Sequence, residues 1–244
     1  MISFISLALI SLCMASLFIV VERSQLYGHS FLHQLQIEYF RWLYRLNDFY
    51  RDRQAKIHSS QRIKKEKLKA PEYIKTHAKA YEPTPYAVLD RVFSKLTPYE
   101  KNYLSFVDYG CGRGRTLSMA YRQGFKNLYG VDIDEELVQD CRKNLKNTHA
   151  NFNTQIFHLS ADDYLPPSGD KIIFLYNPFD EDMLRSSLHN IKQTTGENLI
   201  IYVNPVAQNI FKEFGAEFVR HYPHPYEDFS FSVYRLKSDN WVSL

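Results

Sequence analysis

Phe106-Val107-Asp108-Tyr109-Gly110-Cys111-Gly112-Arg113-Gly114-Arg115 decides the fold of this chain. It reads as a short buried strand, a glycine turn and a helix beginning near Arg113. Glycine has no Cβ, so Gly110, Gly112 and Gly114 leave bare backbone that a ligand can approach closely. A helix starting there aims its free N–H groups and the positive end of its dipole at the same space. Asp108, just inside the strand end, is placed to meet a cationic ligand group. Arg113 and Arg115 are expected to point to solvent.

A plain tight turn has the same look, so the residues that follow decide. Asn127-Leu128-Tyr129-Gly130-Val131 reads as a second strand and ends in Asp132. That carboxylate comes about 20 residues after the first glycine, the spacing at which an acid reaches the hydroxyls of a bound ribose. Strand, glycine turn, helix, strand and acid make a nucleoside-binding unit. The dinucleotide fingerprint G-x-G-x-x-G is not met, because the third glycine comes one residue early and Arg115 fills the later place. An NAD(P)-dependent oxidoreductase is therefore the weaker alternative.

The order D-x-G-x-G-x-G, led by Asp108, resembles the first motif of class I S-adenosylmethionine-dependent methyltransferases. Val131-Asp132-Ile133-Asp134 resembles their second. The resemblance covers residues 81–244. It implies an α/β, Rossmann-like, doubly wound seven-stranded sheet with S-adenosyl-L-methionine as cofactor. It implies cofactor contacts from Asp108, Gly110, Gly112, Gly114 and Asp132. In the family, an acid after the third strand accepts a hydrogen bond from the adenine amino group. Residues 154–159 read as that strand, so the acid is Asp162, with Asp163 as fallback and a turn cap as the plain alternative.

The apolar run 171–176 reads as a central parallel strand and ends in Asn177-Pro178-Phe179. The family places its fourth motif there, beside the transferring methyl. The resemblance thus makes Asn177 and Pro178 aligners of a substrate amine and Phe179 a wall of the acceptor pocket. The best-known amino-methyltransferase form, N-P-P-Y/F, has two prolines where this chain has one. A strand-end turn is the alternative. Residues 198–203 form a fifth strand that closes with Asn204-Pro205, and both Asn-Pro pairs read as shaping the cleft. Residues 218–222 and 229–236 form a final antiparallel pair. Together D-Y-G-C-G-R-G-R, Y-N-P-F and I-Y-V-N-P resemble a bacterial branch of these enzymes whose methyl acceptor the motifs do not identify. An amine or amide nitrogen, on a protein or a small molecule, suits Asn177. The rival from another class is an inactive methyltransferase-like scaffold that holds nucleoside at a membrane. His158, His221 and His224 are bases by residue type only.

Upstream, residues 1–21 contain no charged side chain, and about 20 apolar residues suffice to cross a bilayer. No Lys or Arg precedes Arg23, which favours an uncleaved anchor over a signal peptide or a buried core helix. Arg23, Arg41, Arg45, Arg51 and Arg53 all follow, so the positive-inside rule predicts a single-pass protein of the inner, cytoplasmic membrane with its body in the cytoplasm. The expected domains are 1–21 as transmembrane anchor, 22–80 as a basic, partly amphipathic helical linker and 81–244 as the methyltransferase domain. Within the linker, Phe31, Leu35, Tyr39, Trp42, Leu43, Leu46, Phe49 and Tyr50 recur at helical steps. They fit a helix packed on the domain or one lying on the membrane surface. Residues 56–79 are basic and read as a solvated helix or linker with a possible attraction to anionic lipid. Pro83 and Pro85 force an extended piece. A helix then follows over 87–96, capped by Thr84, with Tyr81, Thr84 and Tyr86 lining the pocket. The net charge of +3 predicts no specific nucleic-acid partner, and the three cysteines show neither zinc nor disulfide spacing.

Overall fold

The computed structural model describes residues 21, 30–69, 79–148, 153–177 and 179–239. The expected anchor, residues 1–21, falls almost wholly outside them, as do residues 70–78 and Pro178. Among the described residues no helix is long and apolar enough to cross a membrane. Backbone contacts divide the chain into two compact units, Met1–Asn47 and Asp48–Leu244, with the boundary inside helix α1 (Phe31–Ala55). In the first unit the predicted apolar stripe is solvent-facing: Leu35, Tyr39, Trp42 and Leu46 are all exposed.

In the second unit, residues 56–69 are not helical. Lys56 ends α1 with a φ of 56°, a single 3-10 turn covers Lys65–Lys67, and Ile63 bridges to Tyr81 in antiparallel fashion. The helix expected over 87–96 is α2 (Tyr86–Phe93), which stops short of Leu96, and a second short helix that was not expected, α3 (Pro98–Tyr103), follows it. Thr97 and Glu100 form a reciprocal capping box that starts α3. Thr84 does not cap α2. Asp48, from α1, accepts the Tyr86 N–H at 2.9 Å in its place.

The core alternates strand and helix: β1 (Ser105–Tyr109), α4 (Arg115–Arg122), β2 (Asn127–Asp132), α5 (Glu135–Thr148), β3 (Asn153–His158), β4 (Lys171–Tyr176), α6 (Glu181–Gln193), β5 (Glu197–Val203), α7 (Gln208–Glu213), β6 (Glu217–Tyr222) and β7 (Phe231–Lys237). The seven strands form one sheet in the order β3-β2-β1-β4-β5-β7-β6. The first five are parallel, and β7 runs antiparallel between β5 and β6. The sequence dictates this division. Residues 171–175 of β4 are buried throughout, as a strand covered on both faces must be. The exposed β6 lies at the edge. Strand order reverses between β1 and β4, and open sheets of this kind bind ligands outside the carboxyl ends of their strands at such a point.

The two arginines of the glycine stretch do not face solvent. Arg115, in the first turn of α4, is 2% exposed. Its guanidinium donates to Asp48 Oδ2 (2.7 Å), Asp52 Oδ2 (3.1 Å), Ser59 Oγ (2.8 Å), Ser60 Oγ (2.9 Å) and the Thr84 carbonyl (3.2 Å), and lies 4.8 Å from the Tyr86 ring centroid. Arg113 pairs with Asp140 at 3.0 Å. A cation at a helix N-terminus opposes the dipole, so burial there needs carboxylates. Asp48 and Asp52, one turn apart on α1, supply them. Removing one partner of a buried pair strands the other's charge and costs about 3–5 kcal/mol. Arg115→Ala should therefore lower the unfolding free energy by about that amount in urea denaturation. A loss of less than about 1 kcal/mol would mean that the cluster is solvated and does not hold 48–60 to α4.

Candidate active site

Five of the residues singled out from the sequence come together at the carboxyl ends of β1 and β2. β1 carries Asp108 to its last position but one. Gly110, Gly112 and Gly114 follow with φ of 78°, 51° and 82°, left-handed values that strain any other residue. The turn closes onto β2: Gly110 N–H and Cys111 N–H donate to the Val131 carbonyl at 2.8 and 3.0 Å. Gly112 N–H donates to Asp132 Oδ2 at 2.8 Å, while Asp134 N–H donates to Asp132 Oδ1 at 3.0 Å. Asp132 is thus held by backbone donors at both oxygens. Asp134 caps α5 through the Leu137 N–H at 3.0 Å.

Both carboxyls sit in low-dielectric surroundings. Burial pushes Asp108 up to about 8, the Asp132 charge adds to this, and a hydrogen bond from Thr116 opposes it. Burial also pushes Asp132 up to about 6, opposed by the backbone N–H groups of Asp134 and Gly112. Cys111, in the turn, is no nucleophile. A hydrogen bond with Cys141 and burial hold its thiol well above the ordinary range, away from the reactive thiolate.

Asn177 follows β4 directly, next to β1 in the sheet, with a φ of 36°. It is half-buried, and Tyr202 Oη donates to its Oδ1 at 3.4 Å. Pro178 lies outside the described residues. Phe179 is partly buried and packs on the core cluster beside β4 and β5. Asn204 repeats the left-handed geometry after β5, with a φ of 51°. Asp162 follows β3 and is exposed; the Ser160 hydroxyl donates to its Oδ1. His158 contacts the Ile133 carbonyl at 3.0 Å, and His221 contacts Ser232 Oγ at 2.9 Å. His224 accepts the Tyr226 N–H at 3.0 Å, with its protonation depressed by burial and by Arg91. Among the described residues no cluster of His, Cys, Asp and Glu is arranged to hold a metal ion.

Tyr81, one of the three residues expected to line the pocket, covers the turn. The Tyr81 ring lies directly on Gly112, where an added Cβ would fall 2.2 Å from Tyr81 Cε2. Its hydroxyl donates to the Ser59 carbonyl at 2.9 Å. Tyr86, expected beside the pocket, instead donates its hydroxyl to Asp52 at 3.0 Å, within the Arg115 cluster. Nothing local in the sequence signals the placement of Tyr86.

Residues 106–196 match a family model described as a methyltransferase domain. No curated protein matches the chain. Among solved structures, the Escherichia coli protein yhhF, a candidate methyltransferase, aligns over 70% of this chain and 92% of its own, with 18% identity and a TM-score of 0.50. The magnesium protoporphyrin IX methyltransferase ChlM of Synechocystis PCC 6803, with bound SAM, aligns over 62% and 79%, with 16% identity and a TM-score of 0.48. A TehB-like SAM-dependent methyltransferase of Corynebacterium glutamicum ATCC 13032 aligns over 62% and 88%, with 16% identity and a TM-score of 0.46. The first of these likenesses is one of fold.

The raised pKa of Asp108 has a consequence for stability. The folded protein keeps this proton up to about pH 8, whereas the unfolded chain releases it near the ordinary carboxyl value of 3.8. Between those values the folded state binds more protons, so this group's stabilisation is full at low pH and is lost as pH rises, by up to about 1.4 kcal/mol per pH unit. Asp108→Asn should remove that slope. The variant should melt above the wild type at pH 8, with the gain shrinking towards pH 5. Parallel melting curves for the two proteins across that range would contradict the assignment.

Proposed function

We propose that this chain, whose residues 106–196 match a methyltransferase-domain model, is a class I S-adenosylmethionine-dependent methyltransferase that methylates a nitrogen acceptor at the cytoplasmic face of a membrane. The observation that carries the reading is the bond between Gly112 N–H and Asp132 at the switch point of the sheet. It couples a bare glycine cradle to an acid at ribose distance, and the residues present fit S-adenosylmethionine. Three left-handed glycines present bare backbone with Tyr81 packed over Gly112, and the Asp132 carboxylate, oriented by backbone donors, serves the ribose hydroxyls. Near neutral pH Asp132 carries the buried negative charge that suits a cationic ligand, and Asp108 stands beside it in its protonated form. Ser160 holds one oxygen of Asp162 and leaves the other for an exocyclic amine.

When bound, S-adenosylmethionine supplies a methyl group on a positively charged sulfur, which is already an activated leaving group. The protein therefore has mainly to align and exclude. Asn177 is held at a strained backbone position and steadied by Tyr202, as an aligning group must be. Its amide accepts a hydrogen bond from an acceptor N–H and directs the nitrogen lone pair. Pro178 stiffens the following turn and Phe179 closes the acceptor side. Tyr81 shields the glycine turn from water. The uncharged residues 1–21 anchor the enzyme, and the arginines after them keep its body in the cytoplasm.

Calorimetric titration tests the cofactor. S-adenosylhomocysteine should bind saturably and NAD should give no comparable heat. Hydrogen bonds to a charged acceptor are worth about 1.5–3 kcal/mol, so Asp132→Ala should weaken S-adenosylhomocysteine at least tenfold. NAD binding of similar strength would overturn the proposal. For Asn177→Ala, transfer of labelled methyl to a membrane extract should fall on the order of 10²-fold with cofactor affinity unchanged. Normal transfer with a stability loss of about 1 kcal/mol would leave Asn177 a turn residue only.

A further inference from the structure

Two features are not used by the proposed cofactor contacts, one in each compact unit. In the first unit, α1 presents Leu32, Leu35, Tyr39, Trp42 and Leu46 at steps of three and four, the spacing of one helix face. They are exposed by between 43% and 70%. Scattered exposed apolar residues need no explanation, but a continuous stripe of this kind marks an interaction surface. Aromatic residues beside leucines are the composition of a helix lying at headgroup level.

The second unit holds a cleft of about 470 Å³ whose lining includes Phe49, Arg53, His58, Arg113, Asp140 and Lys143. Phe49 is 57% exposed, and Arg53 stands 5.6 Å from its ring centroid. This is the arrangement of a long cation that lies along apolar surface and keeps its head in water. Asp52, at the cleft wall, is turned to Arg115. Asp140 alone balances Arg113 at 3.0 Å and Lys143 at 3.7 Å, so cations exceed free carboxylates. Such a cleft takes a phosphate-bearing head group beside an acyl-facing aromatic ring.

We propose that this chain docks on an anionic phospholipid bilayer, through the apolar face of α1 and through the cationic cleft at Phe49, Arg53, Arg113 and Lys143. The choice of a bilayer rests on the reading of residues 1–21 as an anchor. Residues 22–30, fully extended, span about 30 Å, so an anchored chain holds the start of α1 within that distance of the surface. Anionic lipid adds about 1 kcal/mol for each cation near the headgroups.

The test uses the full chain with Trp241→Phe, which leaves Trp42 as the sole tryptophan. The protein is floated with vesicles of phosphatidylcholine alone, or with phosphatidylglycerol added, all with brominated acyl chains. The proposal predicts flotation, a blue-shifted Trp42 emission, and quenching at least about twofold stronger with phosphatidylglycerol. Arg53→Glu with Lys143→Glu should abolish that difference at an unchanged melting temperature. Flotation without Trp42 quenching overturns the docking and leaves the anchor. Failure to float overturns both. Equal quenching in the two lipids overturns the cationic cleft. Protection of Trp42 from acrylamide that grows with protein concentration in the absence of lipid shows that a second copy covers the stripe, and also overturns the proposal.

Discussion

The hydrogen bond from Gly112 N–H to Asp132 Oδ2, at 2.8 Å, is the constraint on which the site depends. A chain of alternate glycines is floppy, and its left-handed conformers are costly to hold because glycine loses more freedom on folding than any other residue. Here the turn is closed at two points on β2, by the Val131 carbonyl and by the Asp132 carboxylate. The same carboxylate is fixed at its other oxygen by Asp134, which also starts α5. One buried acid thus sets the shape of the cradle, its own orientation and the entry into the next helix. Burial raises the free energy of its charge, and the two backbone donors offset part of that cost.

A second layer stands on Arg115. Its position in the first turn of α4 puts a buried cation where the helix dipole disfavours one, and the answer is a pair of aspartates carried by α1. Ser59, Ser60 and Thr84 complete the shell, which brings the segments on either side of residues 70–78 against the same guanidinium. Tyr81 reaches Gly112 from this frame. The covering of the cradle is therefore a consequence of charge neutralisation about 60 residues away in sequence, as Arg115 to Asp52 shows.

The sheet was legible because its strands are continuous apolar runs at regular spacing, with β4 the plainest case. That β2 ends in an acid close to the glycine turn was legible from the strand-turn-helix-strand spacing after Gly110. Arg115 was misread because its position beside the glycines suggests solvent, while the burying partners lie far upstream and carry no local mark. Thr84 looks like a helix cap in sequence, yet the carboxylate of Asp48 reaches the same N–H first. The start of α3 is a different case. Thr97-Pro98-Tyr99-Glu100 is a complete local capping signal, and it was overlooked because the apolar face of the preceding helix appeared to run on to Leu96. The stripe on α1 was legible as helix, but only the structure shows that its apolar side is exposed.

Amide hydrogen exchange across residues 110–115 addresses the central claim, that the Asp132-tethered glycine turn is the nucleoside cradle. In the free protein the Gly112 amide should exchange more slowly than the exposed backbone, because Asp132 holds it. S-adenosylhomocysteine should slow the whole turn further while leaving the edge strand β6 unaffected, and Asp132→Ala should abolish the first protection and weaken the second. A turn that exchanges at the same rate with and without the nucleoside, in a protein shown to be folded, would contradict the account.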